Sequence, residues 1–229
     1  MAANGKEQFK ESTAEVLGCV EKLFSFASTF NPMFGTITKL VNVVRKGLAG
    51  DEAHKLYQDF QQINAKLESI AEQNRQLQKA ILKGEIQKNY GDMEKNIEEQ
   101  YSAFKDFVND VMNEPEKVEH HERKFIDICR KQQGSLNLKE YYRAIMGEQN
   151  PFGRPLLEVY LKHCERKKKS MEDRCAHLAY LFHIGLIALM AYCVIIKDDQ
   201  NEFKKEWGQK VSDIQAKMQE ALSKCDEHE

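Results

Sequence analysis

The chain has 229 residues, 41% hydrophobic and 31% charged, with 34 Lys and Arg against 36 Asp and Glu for a formal net charge of −2. That length suffices for a substantial core in one large domain or two small ones, and the charge balance excludes nucleic-acid binding through a broad basic surface. The start, "MAANGKEQFKESTAEV", is polar where a secretory signal needs an apolar run, so a cytoplasmic protein without a secretory signal is expected. Six cysteines, Cys19, Cys129, Cys164, Cys175, Cys193 and Cys225, lack paired spacing, which in a reducing compartment predicts free, mostly buried thiols.

Taken in chain order, the elements read as helices. Residues 11–50 predict an N-terminal helical hairpin, Glu11–Phe30 and Pro32–Leu48, turning at Asn31-Pro32 because a proline suits the first turn of a helix. Within it, Ile37, Leu40, Val41 and Val44 make a core stripe, while the absence of acids between Phe24 and Gly50 also suits a membrane surface.

Residues 51–147 predict coiled-coil helices. Apolar positions at Leu56, Phe60, Ile63, Leu67, Ile70, Leu77 and Ile81 alternate steps of four and three, with Asn74 in the one polar seam position, where a buried amide sets register. The seam resumes at Ile86, Tyr90, Met93, Ile97, Tyr101, Phe104, Val108 and Val111. An unbroken helix over Asp51–Asn113 would reach on the order of 90 Å, and a hairpin at Gly84 or Gly91 would halve it. Shorter helices follow at Pro115–Lys131 and Asn137–Met146, then a loop, "MGEQNPFGRP". No β-sheet is expected, although "LVNVV" and "YCVII" are β-branched.

Residues 155–225 predict two more helices, Pro155–Ile196 and Asn201–Lys224. Inside the first, Cys175–Ile196 contains no Asp, Glu, Lys or Arg, and Leu178–Ile196 alone would reach roughly 28 Å as a helix, close to the thickness of a bilayer core. A helix apolar on all sides is wrapped by other helices or by lipid, and both readings stay open. The membrane-interacting positions would be Leu178, Leu181, Phe182, Ile184, Leu186, Ile187, Leu189, Ile195 and Ile196. His183 within them is a candidate pH-sensitive group, because desolvation disfavours the imidazolium. Upstream, Arg166, Lys167, Lys168 and Lys169 form a basic cluster suited to docking on anionic lipid.

Catalytic and metal signatures are not found. "VEHHERKF" places His120 and His121 on different helix faces, and neither His163 with Cys164 nor Cys175 with His177 has the spacing of a closed zinc site. No cofactor is expected, and the protein reads as a non-enzyme.

The succession of "FNPMFGTITKLVNVV", the long polar seam, the "NPFG" loop and "AYLFHIGLIALMAYC" resembles the rapunzel family of bony-fish proteins, grouped with cephalotoxin-like proteins. The resemblance implies an elongated all-α bundle similar to α-helical pore-forming toxins of the cytolysin A type, which shelter an apolar segment until they meet a membrane. The expectation is therefore one domain over 1–229, an all-α elongated bundle of long antiparallel helices with coiled-coil packing and one fully apolar helix. Its expected activity is conditional membrane association, with membrane lipid and self-association or a helical protein as partners. The alternatives are a soluble coiled-coil scaffold whose apolar helix is simply its core, and a constitutive single-pass membrane protein.

Overall fold

Apolar residues at helical spacing organise the whole chain. In the computed structural model, which describes residues 26–47, 50–81, 85–148 and 153–226, they form α1 (Phe26–Arg45), α2 (Asp51–Ile81), α3 (Glu85–Asn113), a 3-10 turn (Pro115–Lys117), α4 (Val118–Lys131), α5 (Gly134–Met146), α6 (Leu156–His163), α7 (Lys168–Ile195) and α8 (Gln200–Ser223). Among the described residues there is no strand, and the one extended pairing is an isolated bridge between Lys167 and Asp226. Both β-branched stretches are helical, "LVNVV" in α1 and all but the last residue of "YCVII" in α7. Most of the predicted first helix, Cys19, and the middle of the predicted "MGEQNPFGRP" loop lie outside the described residues.

The turn predicted at Asn31-Pro32 is absent, because α1 runs through Pro32 without interruption. A proline inside a helix costs about 3 kcal/mol. Phe26, Phe30, Met33, Phe34, Ile37, Leu40, Val41 and Val44 are all buried on either side of it, and burial contributes about 1.5–3 kcal/mol for each large side chain. The shared apolar face outweighs the one lost hydrogen bond.

Two helices, not one, occupy Asp51–Asn113. The boundary falls between Ile81 and Glu85, and Gly91 lies inside α3. The two run antiparallel: the Tyr57 hydroxyl donates to Asn109 at 2.6 Å, the Tyr101 hydroxyl donates to Asn64 at 2.7 Å, and the rings of Phe60 and Phe104 lie 5.4 Å apart. The buried edge of α2 is Ala53, Leu56, Phe60, Ile63, Leu67, Ala71 and Asn74, so after Leu67 the seam passes through Ala71 instead of Ile70. A straight helix of 3.6 residues per turn drifts off a strict heptad in this way. The side chains of Leu77 and Ile81 lie outside the described residues. On α3 the predicted seam is buried except for Met93, which is partly buried against the core, and Gln100, Ala103 and Phe107 widen it.

Pro155–Ile196 also divides. After α6 the chain turns at Cys164–Lys167, with Glu165 and Arg166 both left-handed at φ of 51° and 58°. Between Cys164 and Met171 the sequence "ERKKKS" offers nothing to bury, so a helix has no face to hold there. Asp199 caps α8 by accepting from the backbone N–H groups of Asn201 and Glu202 at 2.9 and 3.0 Å.

At the centre stands α7, which touches each of the other described helices. Its approach to α5 depends on Gly185: a Cβ there would lie 2.8 Å from Leu138 Cδ1 and 2.9 Å from Cδ2, closer than real contacts allow. The core is thus one apolar helix jacketed by amphipathic ones.

Candidate functional site: the enclosed apolar helix

Burial is nearly complete along the predicted membrane-interacting segment. Leu178, Leu181, Phe182, Ile184, Leu186, Ile187, Leu189 and Ile195 are all buried, and the most apolar stretch of α7 is 94% enclosed within the bundle. Ile196, one residue past the helix, is exposed at 37%. Water comes close at Tyr180, which is half-buried and with Ile184 floors a groove of about 360 Å³ between α2 and α3, walled by Glu68, Arg75, Glu98 and Lys105. One side of the jacket is therefore parted by a polar cleft that reaches the central helix.

His183 is 3% exposed. Its Nδ1 donates to the Ala179 carbonyl oxygen at 2.7 Å, and the edge-on ring of Phe26 lies 4.8 Å away, while Nε2 has no partner. Burial pulls its pKa down to about 4, with the Ala179 hydrogen bond acting weakly the other way and no charged side chain contributing. The neutral ring fits this site, whereas the imidazolium does not.

Six residues before His183 on the same helix, a partly buried polar network ties α7 to α3. Glu94 accepts from the Tyr141 hydroxyl at 2.7 Å and meets His177 Nε2 at 3.2 Å. Desolvation pushes the Glu94 carboxyl up, but the hydrogen bond and charge of His177, the Tyr141 hydroxyl and the charge of Arg174 together bring it below its ordinary range. Arg174 is 5% exposed, its guanidinium 5.8 Å from the centre of the Tyr160 ring, and one of its terminal nitrogens lacks a partner. Sequence reasoning missed this network. Glu94 sits four residues after Tyr90 and three before Ile97, on the buried stripe of α3, and that spacing was its available signal.

Asn74 is buried at 6%, its Nδ2 without a partner. The basic run is divided among separate neighbours. Lys169 pairs with Asp173 at 3.0 Å and Lys167 lies 3.8 Å from Glu165, while Arg166 turns aside into a separate cavity. All four residues are exposed.

The chemistry available is that of burial. Cys129, Cys164, Cys175, Cys193 and Cys225 are free and buried, and desolvation pushes Cys129 and Cys175 up to about 12, which keeps them from the thiolate form a nucleophile needs. His121 is buried and reaches Asp110 at 3.7 Å and Glu114 at 3.4 Å, whereas His120 is exposed. Among the described residues no group of His, Cys, Asp and Glu is arranged to hold a metal ion.

An all-α jacket around one membrane-length apolar helix, with hydrogen-bonded polar groups at its inner surface, defines the class as helical-bundle proteins with a sheltered apolar element. The chain belongs to the cephalotoxin-like family: residues 47–228 match the cephalotoxin-like middle helical domain. It is similar to Protein rapunzel of Danio rerio, at 34% identity over 219 residues that cover 96% of this chain and 95% of the relative. No solved structure matches it.

Proposed function

We propose that this protein is a non-enzymatic, water-soluble bundle that associates conditionally with membranes by surrendering α7 to lipid, in the manner of an α-helical pore-forming toxin. The observation that carries the reading is the enclosure of Cys175–Ile195, a stretch without Asp, Glu, Lys or Arg, inside helices whose outer faces are densely charged. About twenty side chains of α7 are buried. Exposing the larger ones to water would cost about 1.5–3 kcal/mol each, so the bundle does not open in solution and lipid must receive the helix as it leaves. Membership in the cephalotoxin-like family supports a toxin-like fold for such a role.

The groove between α2 and α3 marks where opening would begin. There the jacket is parted down to Tyr180 and Ile184, and exposed polar contacts such as Tyr57–Asn109 and Lys105–Glu68 flank the buried Phe60–Phe104 seam. The proposed site of action is the cytoplasmic face of a membrane, with self-association of several copies completing any pore.

A second reading is a soluble coiled-coil scaffold, favoured by the burial of α7 against every other described helix, as any core helix would be. Dye-loaded liposomes separate the two. Purified protein that stays soluble without detergent and releases dye supports the first reading. Protein inert to neutral and anionic vesicles from pH 7 to pH 5 removes it, and carbonate-resistant membrane residence in cells would replace both with a constitutive span.

A further inference from the structure

Where the end of α6 meets the end of α8, a cavity of about 410 Å³ is lined by Arg154, Glu158, Leu161, Lys162, Arg166 and Lys224. Four of these side chains are cations and one is a carboxylate. Lys224 is matched by Glu220 at 2.9 Å. Among the described residues no carboxylate pairs with Arg154, Lys162 or Arg166. The hydrogen bond and charge of Glu220 hold the Lys224 ammonium above its ordinary range, with Glu158 adding to this and Arg166 opposing it. Four cations thus converge on one concavity against two nearby carboxylates, Glu158 and Glu220, which leaves an excess of positive charge there.

The backbone is bent to bring them there. Glu165 and Arg166 are consecutive left-handed residues, a conformation that disfavours any residue with a Cβ and is held only where the surroundings impose it. The Arg166 N–H donates to the Leu161 carbonyl at 3.1 Å, and the Arg166 carbonyl accepts from the Asp226 N–H at 3.0 Å. The chain segment after α8 therefore clips the strained turn in place and brings Lys224 beside Arg166. Two cations from α6 and the residues before it, one from the turn and one from the end of α8 meet although they span residues 154 to 224.

We propose that this cavity binds a phosphate-bearing ligand. The forked guanidinium groups of Arg154 and Arg166 match two phosphate oxygens at once, and the Lys162 and Lys224 ammonium groups supply charge around it. The ligand neutralises the repulsion among the four cations. The site stands apart from the membrane reading, because the phosphate belongs either to a soluble metabolite or to a lipid headgroup.

The test is calorimetric titration of the full chain with inorganic pyrophosphate at fixed ionic strength. Saturable binding is expected to weaken about tenfold or more in Arg166→Asn, which removes the fork while keeping a residue that tolerates left-handed backbone. Lys162→Gln, on an exposed helix face, should weaken it as well. Lys169→Gln, in the same basic run but paired with Asp173, should leave it unchanged. Circular dichroism confirms that each variant folds. Absence of binding to the parent, or equal weakening by Lys169→Gln, overturns the proposal. Competition then assigns the source: displacement of pyrophosphate by phosphatidylcholine vesicles carrying a phosphoinositide, and not by plain vesicles, places the phosphate on lipid, and failure of both vesicles to displace bound pyrophosphate places it on a soluble molecule.

Discussion

Acidification should loosen the bundle through His183. Its pKa falls from the ordinary 6.5 to about 4 on burial, so the folded state prefers the neutral ring by about 3 kcal/mol. The sign follows from which state binds the proton better. The unfolded chain takes it up near pH 6.5 and the bundle only near pH 4, so stability is intact above 6.5 and is lost as pH falls through that window. Between pH 7 and pH 5 the loss from this one residue is about 2 kcal/mol, a large share of the roughly 5–15 kcal/mol that a folded domain has. Urea unfolding at pH 7, 6 and 5 measures it. His183→Leu fills nearly the same space, removes the unpartnered Nε2 and should differ from the parent by less than about 1.5 kcal/mol at pH 7, yet lose the decline toward pH 5. Glu94 titrates lower, whereas burial and the Glu94 charge raise Glu98, so the difference between parent and variant isolates the histidine. If parent and variant decline equally between pH 7 and pH 5, His183 is not buried as a neutral ring and the reasoning fails. On the membrane reading, dye release by the parent should rise over the same interval and follow the histidine.

Asn74→Leu should raise the unfolding free energy by about 1–2 kcal/mol, because it replaces a buried amide nitrogen that has no partner; sedimentation should show whether register or association changes with it, and an unchanged urea midpoint would place Asn74 in water. Gly185→Ala should cost about 1–3 kcal/mol by driving a methyl into Leu138, and combining it with Leu138→Ala should cost less than the sum of the two single changes. Glu94→Gln should cost about 2 kcal/mol at pH 7 by removing the charge met by Tyr141 and His177. Because the Glu94 carboxyl lies below its ordinary 4.5, that difference should shrink as pH falls below 4.5, and a constant difference down to pH 3 would show that the charge contributes nothing.

Local pattern carried the helices and the seam because side-chain period is a local property. Leu56, Phe60, Ile63 and Leu67 on α2 and Tyr90, Ile97 and Phe104 on α3 are buried where their spacing places them, and Leu178–Ile195 is the core because it is apolar on every side and carries no Asp, Glu, Lys or Arg. Pro32 was misread for an equally local reason: it is a strong stop signal, and only the burial of Phe30, Met33 and Phe34 against distant helices overrides it. The turn at Glu165 and Arg166 was hidden because α6 and α7 are each helical on their own. The Glu94–His177 contact and the cavity that joins Arg154 to Lys224 unite residues 83 and 70 positions apart. One sequence holds no trace of such pairs, since each partner alone reads as a solvated charge.

The position of α7 in the chain also governs how the protein is made. A ribosome releases α1 to α6 first, each with an apolar stripe whose partner is still unsynthesised. Those stripes wait for residues 168–195, which at about 5–20 residues per second arrive roughly ten to thirty seconds after Phe26. The joints that matter most, between α1 and α7 and between α3 and α7, then close over long sequence separations, which slows folding. A chain stopped before Lys168 is a set of helices whose apolar stripes have no centre to cover, which leaves that surface open to association until α7 is out.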